Sequence, residues 1–184
     1  MNKFLSIIMV GGMVVCTLLS CKKKPQSEDI IAPKPVKEVQ KGPAKMQEIK
    51  QSSEVDWVGS RYKIEIVRNA DESLQLVQDE SGHRYYDNKI TLKVSRRDGS
   101  EFFNRTFTKA DFAQCLDENF RKDGALLGIV LDRAEENQLR FAASVGSPDL
   151  LSDQYIPLVL IVTRMGAVSI ARDTRLDTGA EDDV

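Results

Sequence analysis

From Tyr62 to Ile66 the chain alternates apolar and charged side chains, Tyr-Lys-Ile-Glu-Ile, the two-residue period of a strand with one buried face. Ile90, Leu92 and Val94 repeat that period. Arg96-Arg97-Asp98-Gly99 follows as a hairpin turn into a returning strand that carries Phe103 and Phe107. Leu139, Phe141, Ala143 and Val145 alternate again. Tyr155–Val162 is apolar throughout and reads as a strand buried on both faces, with Pro157 at a bulge or near the strand's start. Met165-Gly166 turns the chain into Val168 and Ile170, and further turns are expected at Ser81-Gly82 and Glu135-Glu136-Asn137.

One helix, about 108–123, interrupts the strands. Thr108 and Asp111 form a capping box, Phe107 and Phe112 a hydrophobic staple, and Phe112, Cys115, Leu116 and Phe120 an apolar stripe at helical spacing. Arg121 and Lys122 suit the last turn, and Gly124 supplies the stop. Short loops between successive strands favour antiparallel pairing. The expected fold is therefore mainly β (α+β): an antiparallel sheet or sandwich of about eight strands with the helix packed on it.

Before Trp57 the pattern is different. Lys3 precedes an apolar run from Phe4 to Leu19, too short for a membrane span and of the length of a signal-peptide core. Ser20 stands just before Cys21, with Leu19 and Leu18 upstream, and this seam resembles the lipobox of bacterial lipoproteins. That resemblance implies a leader over 1–20, cleaved before Cys21, and a lipid (palmitate-type acyl chains) on the Cys21 thiol that holds the protein to a membrane. Cys16 is the weaker candidate because bulky Val15 precedes it. Residues 22–56 hold eight lysines and four of the six prolines and no aromatic residue. Such a stretch buries too little to fold, so 21–56 is expected to be anchor and disordered tether. The globular unit is then 57–177, followed by an acidic tail over 178–184.

Composition adds exclusions. With 41% hydrophobic and 29% charged residues the chain is of ordinary globular type, and a net charge of −2 gives nucleic acid no basic surface to bind. Cys115 is the single cysteine after Cys21, so no disulfide within the folded unit is expected. Lys22 is not the aspartate that keeps some lipoproteins at the inner membrane, and no acidic run follows it. The expected address is the cell envelope, at the outer membrane, on its periplasmic face.

Asp71-Glu72-Ser73-Leu74, Asp98-Gly99-Ser100, Phe107-Thr108-Lys109, Phe141-Ala142-Ala143-Ser144-Val145, Tyr155-Ile156-Pro157-Leu158, Arg164-Met165-Gly166 and Arg172-Asp173 together give the chain a family likeness. It resembles an uncharacterised family of small lipoproteins from Bacteroidales-type bacteria, a domain of unknown function. The resemblance implies a lipid-anchored envelope protein and supplies no functional residue.

Candidate chemistry is sparse. His83 is the only histidine, and Ser144 lies mid-strand rather than on a strand-to-helix elbow, so a Ser-His-Asp site is not expected. One histidine and one cysteine cannot make a zinc site, and no calcium loop or phosphate cradle is present; no metal or cofactor is implied. Cys115, on the apolar stripe with Asp111 and Glu118 as neighbours, reads as a core thiol rather than a nucleophile. A carboxylate hydrolase would need a rigid cleft holding two acids about 5 to 9 Å apart. What remains is recognition: Tyr85 and Tyr86, one of them facing solvent, and a basic corner at Arg96 and Arg97, suited to a protein, peptide or glycan. The expected function is a tethered binding or accessory module, with an envelope hydrolase as the alternative.

Overall fold

The structure, a computed structural model, describes residues 42–174. The leader, Cys21, the tether up to residue 41 and the tail 178–184 lie outside the described residues. The chain forms, in order, β1 (Ala44–Lys45), β2 (Ile49–Trp57), β3 (Ser60–Ala70), β4 (Val77–Gln78), β5 (Arg84–Tyr86), β6 (Asn88–Arg96) and β7 (Glu101–Phe107). A 3-10 segment (Lys109–Cys115) and a short helix α1 (Glu118–Asp123) follow, then β8 (Ala125–Glu135), β9 (Gln138–Gly146), β10 (Tyr155–Thr163) and β11 (Val168–Arg172).

Two antiparallel four-stranded sheets, ordered β2-β3-β6-β7 and β11-β10-β9-β8, make the expected sandwich. One apolar core lies between them. The inward alternation puts Ile64 and Ile66 of β3, Leu92 and Val94 of β6, Phe141 of β9 and Leu158 and Leu160 of β10 into it. Pro157 falls near the start of β10, just outside the part that β11 pairs, so its missing N–H costs no ladder bond there. A third, small sheet, β1-β5-β4, includes a parallel pair, β1 with β5.

The domain begins earlier than Trp57, and the expected boundary needs correction. Residues 49–57 are an edge strand paired with β3 from Ile49↔Arg68 to Trp57↔Ser60, and Met46 is buried with Val77 and Ala125 beneath the small sheet. Ile49–Glu54 is exposed along its whole length, so β2 gives the fold backbone hydrogen bonds rather than apolar area. That contribution leaves no hydrophobic pattern to read.

The single helix of 108–123 also divides. The staple forms, with the Phe107 and Phe112 rings 6.2 Å apart, and the Thr108 N–H donates to the Asp111 carboxylate at 2.9 Å. The 3-10 segment then stops at Leu116 in extended backbone, and Asp117 restarts the chain as an N-cap, accepting from the Phe120 N–H at 3.1 Å. Phe112 and Leu116 enter the core. The segment closes the core beside β11 instead of lying on an outer sheet face, since Arg172 donates to the Cys115 carbonyl at 2.6 Å. Gly124 ends α1 without a left-handed turn; a Cβ there would sit 2.7 Å from the Phe120 carbonyl oxygen.

Register sorts the sandwich into two ends. The turns β2–β3, β6–β7, β8–β9 and β10–β11 all fall at one, because Trp57 pairs Ser60, Tyr62 pairs Arg96, and Gln138 pairs both Glu135 and Thr163. The Trp57 indole N–H, donating to the Glu135 carbonyl at 2.7 Å, ties the two sheets together there. This is the hairpin end. The opposite, helical end carries β1, the small sheet, the 3-10 segment, α1 and the β9–β10 loop.

Candidate functional site

The residues expected to recognise a ligand do not converge. Tyr85 and Tyr86 lie on β5 at the helical end, whereas Arg96 ends β6 and Arg97 follows it at the hairpin end. β6 is nine residues long, so about 27 Å of strand separates the two pairs. The tyrosines are also engaged. Tyr85 packs on the Met46 cluster and its hydroxyl donates to Asp79 at 3.3 Å, while Lys45 sits over the Tyr86 ring at 5.8 Å. The adjoining Asp87-Asn88 is a buried clamp between sheets: Asp87 accepts from the Leu126 N–H at 3.0 Å, and the Asn88 amide donates to the Leu126 carbonyl at 2.8 Å. A polar-aromatic run that looked like a surface is thus an internal joint.

The arginines keep aromatic company of a kind the sequence did not suggest. Trp57, Tyr62 and Phe102 form a cluster of edge-on rings, 5.3 to 5.8 Å between centroids. The Arg96 guanidinium stacks over Phe102 at 5.4 Å and donates to the Glu101 carbonyl at 2.8 Å. These rings floor a shallow pocket of about 180 Å³, rimmed by Val58, Arg96 and Arg164. Beside it, a wider groove of about 570 Å³ runs between Arg61 and Arg97 over Gly59 and Ser60. Arg61 is paired with Asp56 at 3.2 Å; Arg97 makes no ion pair among the described residues. Two features are unusual for a plain surface. Val58 holds φ at 53°, a left-handed conformation that a β-branched residue resists, and it stands exposed at the pocket rim. Met165, in the neighbouring turn, is 92% exposed.

The helical end has an open cleft of about 370 Å³ lined by acids, among them Asp79, Glu80, Asp117 and Asp123. Asp79 is committed to its own turn. It accepts from the Ser81 and His83 N–H groups at 2.9 Å, and its second oxygen lies 3.0 Å from His83 Nδ1. Burial alone would raise its pKa, but the His83 contacts outweigh that and hold it below the ordinary carboxylate range. Asp117 is the α1 cap. Deeper in, Lys109 is mostly buried, donating to the carbonyls of Gly124 at 2.7 Å and Lys122 at 3.2 Å, with Asp87 3.8 Å away. Burial lowers the Lys109 pKa and raises that of Asp87.

Residues 29–170 match the family described as domain of unknown function DUF4738. The chain belongs to that family. No curated protein matches the sequence. The match to the DUF4738 family starts well upstream of Trp57, in accord with a domain that takes in β1 and β2. Both ends of the sandwich fall inside it.

Ser144 is mid-strand, opposite Gly128 and Pro157, with no histidine near it among its described partners. His83 stands at the β4–β5 turn, held by Asp79. Cys115 is half-buried rather than fully enclosed, its Sγ 3.8 Å from the Ile170 carbonyl, and it packs against the core. No group of three or more His, Cys, Asp or Glu among the described residues could hold a metal ion. Sequence reasoning missed Trp57, Tyr62, Phe102 and Arg164. Their only signal was that each flanks a turn, and register alone shows that the turns share an end.

Proposed function

We propose that this DUF4738 protein is a lipid-anchored binding or accessory module of the cell envelope, held through Cys21 and displaying its hairpin end to a partner. The observation that carries the reading is the pocket of Trp57, Tyr62 and Phe102 with arginines on its rim and a strained, exposed Val58 beside it. An aromatic floor suits an apolar side chain or a sugar face, and the Arg97 guanidinium, without an ion pair among the described residues, suits a carboxylate. Such a site fits a peptide or protein segment that offers an apolar group flanked by acids. The sequence features at Ser20, Cys21 and Lys22 support the anchor and an outer-membrane address on the periplasmic side. The carboxylate-hydrolase reading gains nothing from the helical-end cleft, where Asp79 is bound up in its own turn with His83 and Asp117 caps α1.

The test joins the two halves of the reading. Cells making wild-type chain should incorporate labelled palmitate into it and yield a cross-linked partner from intact envelopes. Cys21→Ser should lose the label, and Arg97→Glu should keep the label and lose the partner. Label retained by Cys21→Ser would sink the anchor, and a partner indifferent to Arg97→Glu would sink the site.

A further inference from the structure

The β9–β10 loop, 147–154, carries Leu150 and Leu151 at 88% and 94% exposure. Isolated apolar residues on a surface are ordinary, but these two are adjacent, fully projecting and held in place. The Ser147 N–H donates to the Gln154 carbonyl at 2.9 Å, the Leu151 N–H to the Asp149 carboxylate at 3.0 Å and the Ser152 N–H to the Asp149 carbonyl at 3.1 Å. The Gln154 amide reaches Glu80 at 2.6 Å. A loop ordered by its own hydrogen bonds presents its tip at little further entropic cost on binding. Its charges are acidic: Asp149 and Asp153 bracket the leucines, with Glu80 behind them. An anionic membrane surface would repel such a tip. An apolar pocket with a cationic rim would accept it, and the hairpin end of the same molecule is that pocket.

We infer that the two ends pair between copies of this chain, Leu150 or Leu151 of one seated on the Trp57, Tyr62 and Phe102 rings of the next. Asp149 and Asp153 then face Arg96, Arg97 and Arg164. The inference rests on the reading of the hairpin end as a binding surface and names its occupant, a second copy. Because the knob and the pocket are different surfaces at opposite ends, the contact is head-to-tail, and it repeats instead of closing as a two-fold dimer.

Sedimentation velocity on the full chain with Cys21→Ser, across about a hundredfold range of concentration, tests this. Wild type should grow past a dimer with concentration, and about tenfold more weakly when salt rises from 50 to 500 mM. Leu150→Ser/Leu151→Ser and Arg97→Glu/Arg164→Glu should each be monomeric alone while melting like wild type. Mixed in equal amounts they should form a pair and stop at two, since each retains one working end. Wild type that stays monomeric throughout, or variants that assemble as wild type does, would overturn the inference. If an Arg97-dependent envelope partner is still captured in that case, the binding reading stands and only its occupant is wrong.

Discussion

Val58 sits where a two-residue turn needs left-handed backbone twice, at φ 53° and again at Gly59 with φ 71°. Asparagine or glycine fills the first of these positions at little cost, whereas a left-handed L-residue costs about 1 to 2 kcal/mol and a β-branched one no less. Val58→Asn should accordingly raise stability by about 1 kcal/mol in urea titration, with the m-value unchanged. If the strain is retained because the valine methyls serve the pocket, the same variant should weaken partner capture. A variant that is no more stable than wild type would show that the neighbours already absorb the strain. Single residues were the least legible level of this sequence. Arg96 and Arg97 were visible as a basic corner, but Asp87 and Asn88 carry the same polar signature and are buried. Exposure depends on what the rest of the chain places alongside, here Leu126 on β8.

Elements were legible wherever apolar area decided them. The alternation in β3, β6 and β9 and the unbroken run in β10 all became strands of the sandwich. The single helix expected over 108–123 divides because the Asp117 side chain competes for the backbone and starts a new cap. Asp71, at the start of the excursion between β3 and β6, offers a pH test of one such local device. The Ser73 hydroxyl at 2.7 Å, with Lys89 at 2.9 Å and the Ser73 N–H at 2.9 Å, holds its carboxyl well below the ordinary range. A carboxyl depressed in the folded state contributes stability above its unfolded value, near pH 4, and loses it as pH falls toward the folded value. Asp71→Asn should therefore be less stable than wild type at pH 7. That difference should shrink steadily below about pH 4 in denaturant titrations. A gap independent of pH would assign Asp71 a purely geometric role.

The domain boundary was the largest error, and its cause is physical. An edge strand can be fixed by a ladder of N–H and C=O bonds while exposing nearly every side chain, so composition marked Ile49–Glu54 as tether. A chain beginning at Trp57 loses β1, β2 and the Met46 plug, and should melt at least 10 °C below one beginning at Gly42, at roughly 4 °C per kcal/mol for a domain of this size. Equal melting temperatures would return the boundary to Trp57. Fold class survived that error because the residues from Trp57 onward supply nearly all of the one core, β2 adding chiefly backbone hydrogen bonds. The candidate pocket at the hairpin end is illegible for a different reason. Its aromatic residues are spread from Trp57 to Phe102, and only pairing register gathers them.

The opposition of the two ends also fixes how the domain would bear tension. The described chain starts at Gly42 beside the small sheet, and β2 runs from there along the full height of its sheet to the hairpin turns. A pull between the N-terminal side and a partner gripping the Trp57 pocket acts along the strand axes. Trp57 ends β2 itself, so that pull runs down the covalent backbone of a single strand, and the ladder hydrogen bonds lying across the axis are spared instead of parting one at a time. The same domain pulled sideways at the edge of β2 would unzip from Ile49 onward. Its resistance to rupture is thus directional, greatest along the line that joins its N-terminal side to its pocket.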